Sequence, residues 1–259
     1  MPHPNSSRRK TPSDASLKSW FRSRWSLPER VAGWTGSGLN LEFSDPGCRE
    51  AWKRALAQAI GDGPMRTALD IGTGPGTIAL LWAELGCATT GLDFSPGMLR
   101  AAREQAARRG VALKLLEGDA EEVPIFRKRF DIVSSRFVLF TLPHPGYAIR
   151  RWVQMLRPGG RLVLIGHEHP DGPPAHRPGM RPGPDRDTAA ERRHREALSH
   201  LPFVNHKAAD LQVVMEAAGL QKIERLSPQE LLAARARLRR RLKADLQLQS
   251  TPFIVVGQK

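Results

Sequence analysis

The chain has 259 residues, of which 40% are hydrophobic and 25% charged, a composition typical of a globular protein with a substantial core. Its formal net charge of +14 leaves two interpretations open, a polyanionic partner such as RNA or basic residues spread over a solvated surface. No apolar run is long enough to span a membrane, and the polar N-terminus predicts no secretory signal. Cys48 and Cys87 are too few for a disulfide framework, so we expect a cytoplasmic protein.

Three parts of the chain differ in composition and pattern. Residues 1–16 are polar and rich in Ser and Pro, which predicts a disordered basic tail. Residues 17–65 carry tryptophans among arginines and then helical spacing over 45–60, which predicts an N-terminal helical cap. Residues 66–259 form the predicted main domain. Within that domain, the segment 168–206 begins with a dense run of Pro, Gly, Arg and His and is predicted to be a mobile insertion.

From residue 67 onward, apolar runs of strand length alternate with segments at helical spacing. This alternation predicts an α/β fold, a doubly wound sheet with helices on both faces. Right-handed crossovers then place the carboxyl ends of the strands at one edge, where ligands bind. The predicted strands cover 67–71, 88–92, 111–116, 130–135, 161–165, 220–226 and 251–256. The predicted helices cover 77–85, 95–109, 147–156, 188–200, 208–217 and 228–246.

A glycine-rich turn follows the first predicted strand, where Asp70 precedes Gly72, Gly74 and Gly76. Glycines allow positive φ and let a ligand approach the backbone closely. Their G-x-G-x-G spacing differs from the G-x-G-x-x-G of NAD sites. A carboxylate here would repel the pyrophosphate of a dinucleotide, which helix N-termini attract, but it suits the ammonium and sulfonium of S-adenosylmethionine. The alternative, that Asp70 orders the turn through its own backbone amides, remains open.

Acidic residues also end the next two predicted strands. Asp93 lies where an acidic residue about 20 positions beyond the glycines can accept hydrogen bonds from both ribose hydroxyls. Phe94 and Met98 offer apolar surface for one face of an adenine ring. Asp119, followed by Ala120, could accept from the adenine amino group. Three strand ends therefore predict one nucleoside-binding site.

These motifs resemble the class I S-adenosylmethionine-dependent methyltransferases, closely over residues 66–167 and elsewhere only in architecture. The resemblance is carried by the runs 68–76, 91–99, 118–121, 130–136 and 156–160. It implies a Rossmann-like, seven-stranded sheet with six parallel strands and an antiparallel last strand. It also implies S-adenosylmethionine as cofactor, with S-adenosylhomocysteine as product. The residues that it implies contact the cofactor are Asp70, Gly72, Gly74, Gly76, Asp93 and Asp119.

Residues 135–145 resemble bacterial small-molecule methyltransferases of specialised metabolism more than nucleic-acid enzymes. Ser134, Ser135, Arg136 and Phe137 stand where exocyclic-amine methylases carry an Asn-Pro-Pro-Tyr motif. We therefore predict methyl transfer to N, O or C of a small-molecule acceptor. Two alternatives stay open, an RNA methyltransferase that uses basic tails and a cofactor-binding regulator without catalysis. The oligomeric state is left open.

Candidate residues for the acceptor side follow the fourth and fifth predicted strands. Arg136 could hold an acidic substrate, or it could pair with Asp119 or Asp93. His167 and His169 are candidate general bases in the loop expected after the fifth strand, although a base is needed only if the acceptor must lose a proton. We expect no metal site. The remaining candidates for the substrate pocket are Trp25, Trp34, His144 and Tyr147.

Overall fold

The structure is a computed structural model that describes residues 13–28, 31–32, 42–61, 63, 67–124, 126, 128–168, 189–203, 207–242 and 251–259. Most of the predicted tail over 1–16 therefore lies outside the described residues. The same holds for residues 169–188 and 204–206 of the predicted insertion. The first described helix begins at Asp14, inside the predicted tail.

Seven strands form one sheet in the order β3-β2-β1-β4-β5-β7-β6. Strands β1 to β5 pair in parallel, while β7 is antiparallel to both β5 and β6. Strand β6 thus runs with the first five, which confirms the predicted sheet with six parallel strands and an antiparallel last strand. The strands are β1 (Thr67–Ile71), β2 (Ala88–Asp93), β3 (Leu113–Glu117), β4 (Phe130–Arg136), β5 (Leu156–Glu168), β6 (Gln221–Leu226) and β7 (Thr251–Gln258).

Helices connect the strands and cover the sheet. In the part of the chain that the structure describes, none of them is long and apolar enough to cross a membrane. They are α1 (Asp14–Trp25), α2 (Pro46–Ile60), α3 (Thr77–Glu84), α4 (Pro96–Arg109), α5 (Pro145–Met155), α6 (Ala189–Ser199), α7 (Ala208–Ala217) and α8 (Gln229–Leu242).

Two helices begin at an acceptor side chain followed by proline, a sequence signal for a helix start. The Asp45 carboxylate accepts a hydrogen bond from the Cys48 amide at 2.8 Å, and Pro46 occupies the first turn of α2. The Ser95 hydroxyl likewise accepts from the Met98 amide at 3.3 Å, ahead of Pro96 in α4. Capping by Asp or Ser satisfies an otherwise unpaired amide, and proline has no amide to leave unpaired.

The core consists of two apolar layers, one on each face of the sheet. Along β5, Leu162 and Leu164 belong to one layer and Val163 and Ile165 to the other, as the two-residue alternation of a strand requires. Helices α5 and α7 cover the first face, while α2, α3 and α8 cover the second. The central strand β4 is buried along its whole length. A buried central strand gives the functional edge of the sheet a rigid support.

The first helix lies apart from these two layers. Leu17 and Phe21 of α1 pack against Ala197 of α6 and against Leu201, forming a small separate cluster. In the region predicted as a helical cap, the structure describes two helices. Helix α1 lies in this separate cluster, and α2 packs on the second face of the sheet.

Strand β5 is longer than the sequence predicted. It begins at Leu156 and continues through His167 and Glu168, which pair with β7, instead of covering only 161–165. The expectation that His167 lies in a loop after the strand was wrong, because β7 extends the pairing past Ile165. Helix α8 ends at Leu242, and the rest of the helix predicted over 228–246 lies outside the described residues.

Candidate functional site

The turn between β1 and α3 is shaped by its glycines. Gly72, Gly74 and Gly76 have φ of 65°, 55° and 83°, the left-handed region in which side chains are strained. A Cβ on Gly72 would lie 2.1 Å from a methyl carbon of Val138, whereas a Cβ on Gly74 would meet no atom within 4 Å. Gly72 thus allows close packing, and Gly74 faces open space that a ligand can enter.

Asp70 lies under this turn and is fully buried. Its carboxylate oxygens accept hydrogen bonds from the hydroxyls of Ser134 at 2.7 Å and of Thr73 at 2.8 Å. Burial raises the pKa of Asp70 to about 6, against the opposing effect of these two hydroxyls. Asp70 therefore orders the turn, which is the role that the sequence left open. Its partners are the hydroxyls of Ser134 on β4 and Thr73 in the turn, in addition to a backbone amide.

Asp93 joins the glycine turn to the end of β2. One carboxylate oxygen accepts from the Gly74 amide at 2.7 Å, and the other accepts from the Ser95 amide at 2.9 Å. Burial raises the pKa of Asp93 to about 6 despite these bonds. A carboxylate has about four lone-pair sites, and the amides of Gly74, Ser95 and Phe94 do not use all of them, so Asp93 can still accept from a ligand hydroxyl.

Asp119, beyond the end of β3, is partly exposed and faces α1. One oxygen accepts from the Glu121 amide at 2.8 Å, and the other lies 3.7 Å from Lys18 Nζ and 3.9 Å from a nitrogen of Arg22. Lys18 Nζ also lies 2.5 Å from the buried Glu121 carboxylate. Ion pairs between α1 and the third strand end therefore hold this helix beside the site.

One cleft connects these groups at the carboxyl edge of the sheet. It encloses about 1060 Å³ of space between the lining atoms, a volume that includes open solvent at its mouth. Gly76 does not line it: a Cβ there would lie 3.1 Å from Ala102, so this glycine lets α3 and α4 pack closely. The predicted cofactor residues that line the cleft are Asp70, Gly72, Gly74, Asp93, Phe94, Met98, Asp119 and Ala120.

Arg136 ends β4 and lines the same cleft with its side chain 6% exposed. The sequence suggested Asp119 or Asp93 as its partner, but its ion pair is with Glu42, at 3.6 Å. Burial lowers its pKa to about 10, so the guanidinium remains charged at neutral pH. The guanidinium carbon lies 4.8 Å from the ring centre of Phe43 and 4.6 Å from that of Phe137.

Phe137 itself has an unusual backbone, with φ of 61°. A left-handed conformation costs a non-glycine residue about 1–3 kcal/mol and persists where the surrounding structure enforces it. Phe137 lines the cleft next to Arg136, so the strain falls on the wall of the candidate site.

The other predicted acceptor-side residues are placed less centrally. His167 is half-buried, and its ring packs edge-on against Phe137 at 4.8 Å between ring centres, behind the residues that line the cleft. His144 lies at the start of α5, with Nε2 3.1 Å from a carboxylate oxygen of Asp14 on α1. Tyr147 is 41% exposed and does not line the cleft. His169 and Trp34 lie outside the described residues, as does the side chain of Trp25.

Several residues that the sequence did not single out contribute to the site. Lys18, Phe21 and Arg22 of α1 line the cleft, as does Val138 after β4. The tryptophans among arginines predicted a helical cap from residue 17 onward, but not the face that α1 presents to the cleft. Glu42 has no motif around it, so nothing in the sequence marked it as the partner of Arg136. Among the described residues, no group of three or more His, Cys, Asp or Glu side chains could hold a metal ion.

Comparison with known proteins supports the domain assignment. Residues 69–164 match the family model described as "Methyltransferase domain". Together with the sheet order, this match confirms the resemblance to the class I S-adenosylmethionine-dependent methyltransferases.

The similar curated proteins bear names from quinone biosynthesis. A demethylmenaquinone methyltransferase of Renibacterium salmoninarum is 33% identical over 119 residues, covering 46% of this chain and 48% of that protein. A ubiquinone/menaquinone biosynthesis C-methyltransferase of Ectopseudomonas mendocina is 31% identical over 133 residues, covering 49% of this chain and 52% of that protein. The chain thus spans about half the length of the curated relatives that it matches.

Solved structures share the fold at low sequence identity. Phosphoethanolamine N-methyltransferase 2 of Haemonchus contortus, in complex with S-adenosyl-L-methionine, superposes with a TM-score of 0.60 at 19% identity, covering 92% of this chain and 60% of that one. Human N-acetylserotonin methyltransferase gives a TM-score of 0.58 at 14% identity, covering 94% of this chain and 59% of that one.

Proposed function

We propose that this chain binds S-adenosylmethionine in the cleft and methylates a planar small-molecule acceptor. The proposal starts from the match to a methyltransferase domain and from the resemblance to the class I S-adenosylmethionine-dependent methyltransferases. The observation that carries the proposal is the convergence of three carboxylates, Asp70, Asp93 and Asp119, from three successive strand ends on one cleft. Carboxylates favour a positively charged ligand and oppose a pyrophosphate.

The residues present fit this cofactor. Open space beside Gly74 admits a ligand to the turn, and the buried charge of Asp70 lies under it. Asp93 has lone pairs left to accept from ribose hydroxyls, and Phe94 and Met98 supply apolar surface for the adenine. We assign Asp119 as the acceptor for the adenine amino group. The positive charge, the ribose and the adenine of the cofactor thus each have a proposed counterpart among the lining residues.

When bound, S-adenosylmethionine supplies a methyl group on positively charged sulfur, which an electron-rich acceptor atom displaces. Holding acceptor and methyl in line can contribute roughly 7–11 kcal/mol of the barrier reduction. Phe21, Val138 and Leu142 give the cleft apolar walls against which an acceptor ring can pack. No histidine lines the cleft among the described residues, so we assign no general base.

For the acceptor, we propose an electron-rich ring, such as a quinol, modified in a biosynthetic pathway. The names of the curated relatives, which methylate in quinone biosynthesis, support this class. The cleft also presents the aromatic rings of Phe21, Phe94 and Phe137. For a C-methylation, the ring carbon gains the methyl group, the carbon–sulfur bond breaks with its electron pair kept by sulfur, and the ring carbon then loses its proton to water.

Two of the basic residues that suggested an RNA substrate are engaged within the protein. Arg235 is buried and paired with Glu42, and Arg241 pairs with Asp45. These two arginines lend no support to an RNA substrate, which stays an alternative from the sequence. A cytoplasmic location remains a prediction from Cys48 and Cys87, which are both buried free thiols.

The experiment measures binding and transfer separately. Titration with S-adenosylhomocysteine should give binding, and incubation with methyl-labelled S-adenosylmethionine and a naphthoquinol should give a labelled product. Asp93→Ala should lose both, while Glu216→Ala, an exposed acidic position on α7, should lose neither. Absence of S-adenosylhomocysteine binding would refute the proposal. Binding without transfer to any of a panel of quinols, phenols and amines would favour the regulator alternative.

A further inference from the structure

Arg136 is a buried cation with incomplete compensation. Its Nε and Nη2 are buried and make no hydrogen bond with the residues that the structure describes. Buried polar groups nearly always have a partner, and an unpaired buried charge is costly. Because this side chain is more than nine-tenths buried and lines the cleft, its missing partner is to be sought in the cleft.

The carboxylate that pairs with Arg136 is shared unequally. Glu42 lies 2.8 Å from Arg235 Nε on α8 but 3.6 Å from Arg136 Nη2. Both arginines are charged at neutral pH, so the single negative charge of Glu42 can neutralise at most one of them. Arg235 has the closer contact and does not line the cleft. The excess positive charge therefore lies at Arg136, on the cleft wall.

Asp70 does not remove this excess. It favours the charged form of Arg136, but its two oxygens accept hydrogen bonds from Ser134 and Thr73. The rings of Phe43 and Phe137 attract the guanidinium and fix its position without supplying a hydrogen-bond acceptor. An arginine held in this way is a preorganised receptor for an oxygen anion.

We infer that Arg136 binds an anionic oxygen on a planar acceptor, either a carboxylate or an ionised ring hydroxyl. This inference rests on the proposed function, which places the acceptor in the same cleft. It adds a charge requirement: a ring that carries an anionic oxygen binds better than a neutral ring of the same shape. An ionised hydroxyl held there would also make the ring carbons beside it more nucleophilic, which suits methylation at carbon.

The test uses simple probes on the full chain saturated with S-adenosylhomocysteine. Benzoate should bind about 10- to 100-fold more tightly than benzamide, as expected for a charge-assisted hydrogen bond. 4-Nitrophenol should become more ionised on binding, seen as increased phenolate absorbance. A response to benzoate alone assigns the anion as a carboxylate, and a response to 4-nitrophenol alone assigns it as a ring hydroxyl.

Variants separate binding from a structural role. Arg136→Gln should reduce the benzoate preference to near unity, and Arg136→Lys should keep part of it because the charge remains. Arg237→Gln, an exposed arginine on the same helix as Arg235, should behave as the unchanged protein. A structural role alone would lower the denaturation midpoint of Arg136→Gln without changing the preference.

The inference is overturned if the unchanged protein prefers neither benzoate over benzamide nor the ionised form of 4-nitrophenol. Arg136→Gln retaining the full preference would overturn it too. If Arg136→Gln does not fold, the comparison of benzoate with benzamide on the unchanged protein still tests whether the cleft prefers an anion. If S-adenosylhomocysteine does not bind, the methyltransferase proposal fails by itself, and the same probes on the unloaded protein test Arg136.

Discussion

The ends of β1 to β3 and the end of β4 line one cleft, but their charged groups find partners in different ways. Asp70 and Asp93 bond mainly to hydroxyls and amides of the strand ends and turns around them. Arg136 instead pairs with Glu42, near the start of the chain, and Arg235, near its end, competes for the same carboxylate. The cofactor half, at Asp70 and Asp93, is therefore a motif that can be recognised in sequence, whereas the acceptor half, at Arg136, depends on a long-range ion pair.

The largest expected effect is on the acceptor half. Glu42→Gln removes the carboxylate that pairs with two buried arginines, Arg136 and Arg235, which should lower the free energy of unfolding by about 3–5 kcal/mol. Chemical denaturation measures this loss. Glu230→Gln is the control, because Glu230 pairs with Arg54 on the surface and should contribute about 1 kcal/mol or less. Equal denaturation midpoints for the two variants would remove the contrast between the halves.

The next effect is on the cofactor half. Asp93→Ala removes the acceptor for the amides of Gly74 and Ser95 and the proposed acceptor for the ribose. Affinity for S-adenosylhomocysteine should fall about 100-fold or more, since hydrogen bonds to charged groups contribute about 1.5–3 kcal/mol each. Calorimetric titration gives the value. An unchanged dissociation constant would show that the ligand does not depend on the end of β2.

A pair of glycine variants tests the close contact between the glycine turn of the cofactor half and Val138, after β4. Gly72→Ala places a methyl group against Val138, whereas Gly74→Ala places it in open space, and both residues have positive φ. The backbone strain is therefore shared, and the clash should make Gly72→Ala less stable than Gly74→Ala by about 1–3 kcal/mol. Thermal unfolding compares the two proteins. Equal stabilities would contradict the close contact between the glycine turn and the segment after β4.

The smallest effect is a dependence on pH, which in the cofactor half arises from Asp70 and Asp93. The pKa values of Asp70 and Asp93 are raised from 3.8 to about 6, so in the cofactor-free protein their contribution to stability is present below pH 3.8 and is lost as the pH rises through about 6. A cationic cofactor prefers both carboxylates ionised, so its binding has the opposite dependence.

Each carboxylate that must be ionised should therefore weaken the affinity for S-adenosylmethionine about tenfold between pH 7 and pH 5, which lies one pH unit below these pKa values. Titrations at the two pH values measure the change, and Asp93→Asn should reduce it. Affinity that rises on acidification would contradict the assignment of these carboxylates to the cofactor.

The sequence predicted the seven-stranded sheet and, within one residue, the carboxyl ends of β1 to β4, because each of these is encoded in a contiguous run. The roles of the cofactor residues stay a prediction. Asp93 follows an apolar strand and precedes Ser95 and Pro96, so its position at a strand end and helix start was readable. Arg136 was placed correctly at the end of β4, but its partner was not predicted. The ion pair between Arg136 and Glu42 forms only through tertiary packing. Because no sequence motif surrounds Glu42, this pairing could not be predicted from a single sequence.

The position of His167 was also not predictable from the local sequence. It lies within β5 and outside the cleft lining because β7 pairs with β5 beyond Ile165. Strand length in a sheet is set by the partner strand as much as by local pattern. The prediction of general bases in a loop after β5 thus depended on where β5 ends, which the local sequence does not determine.

The central claim is that the three acidic strand ends bind the nucleoside of S-adenosylmethionine, and a crystal structure with S-adenosylhomocysteine tests it most directly. The account predicts ribose hydroxyls within hydrogen-bond distance of Asp93, adenine against Phe94 and Met98, and its amino group at Asp119. A nucleotide with phosphates over the turn at Gly72 and Gly74, or S-adenosylhomocysteine bound outside this cleft, would contradict it.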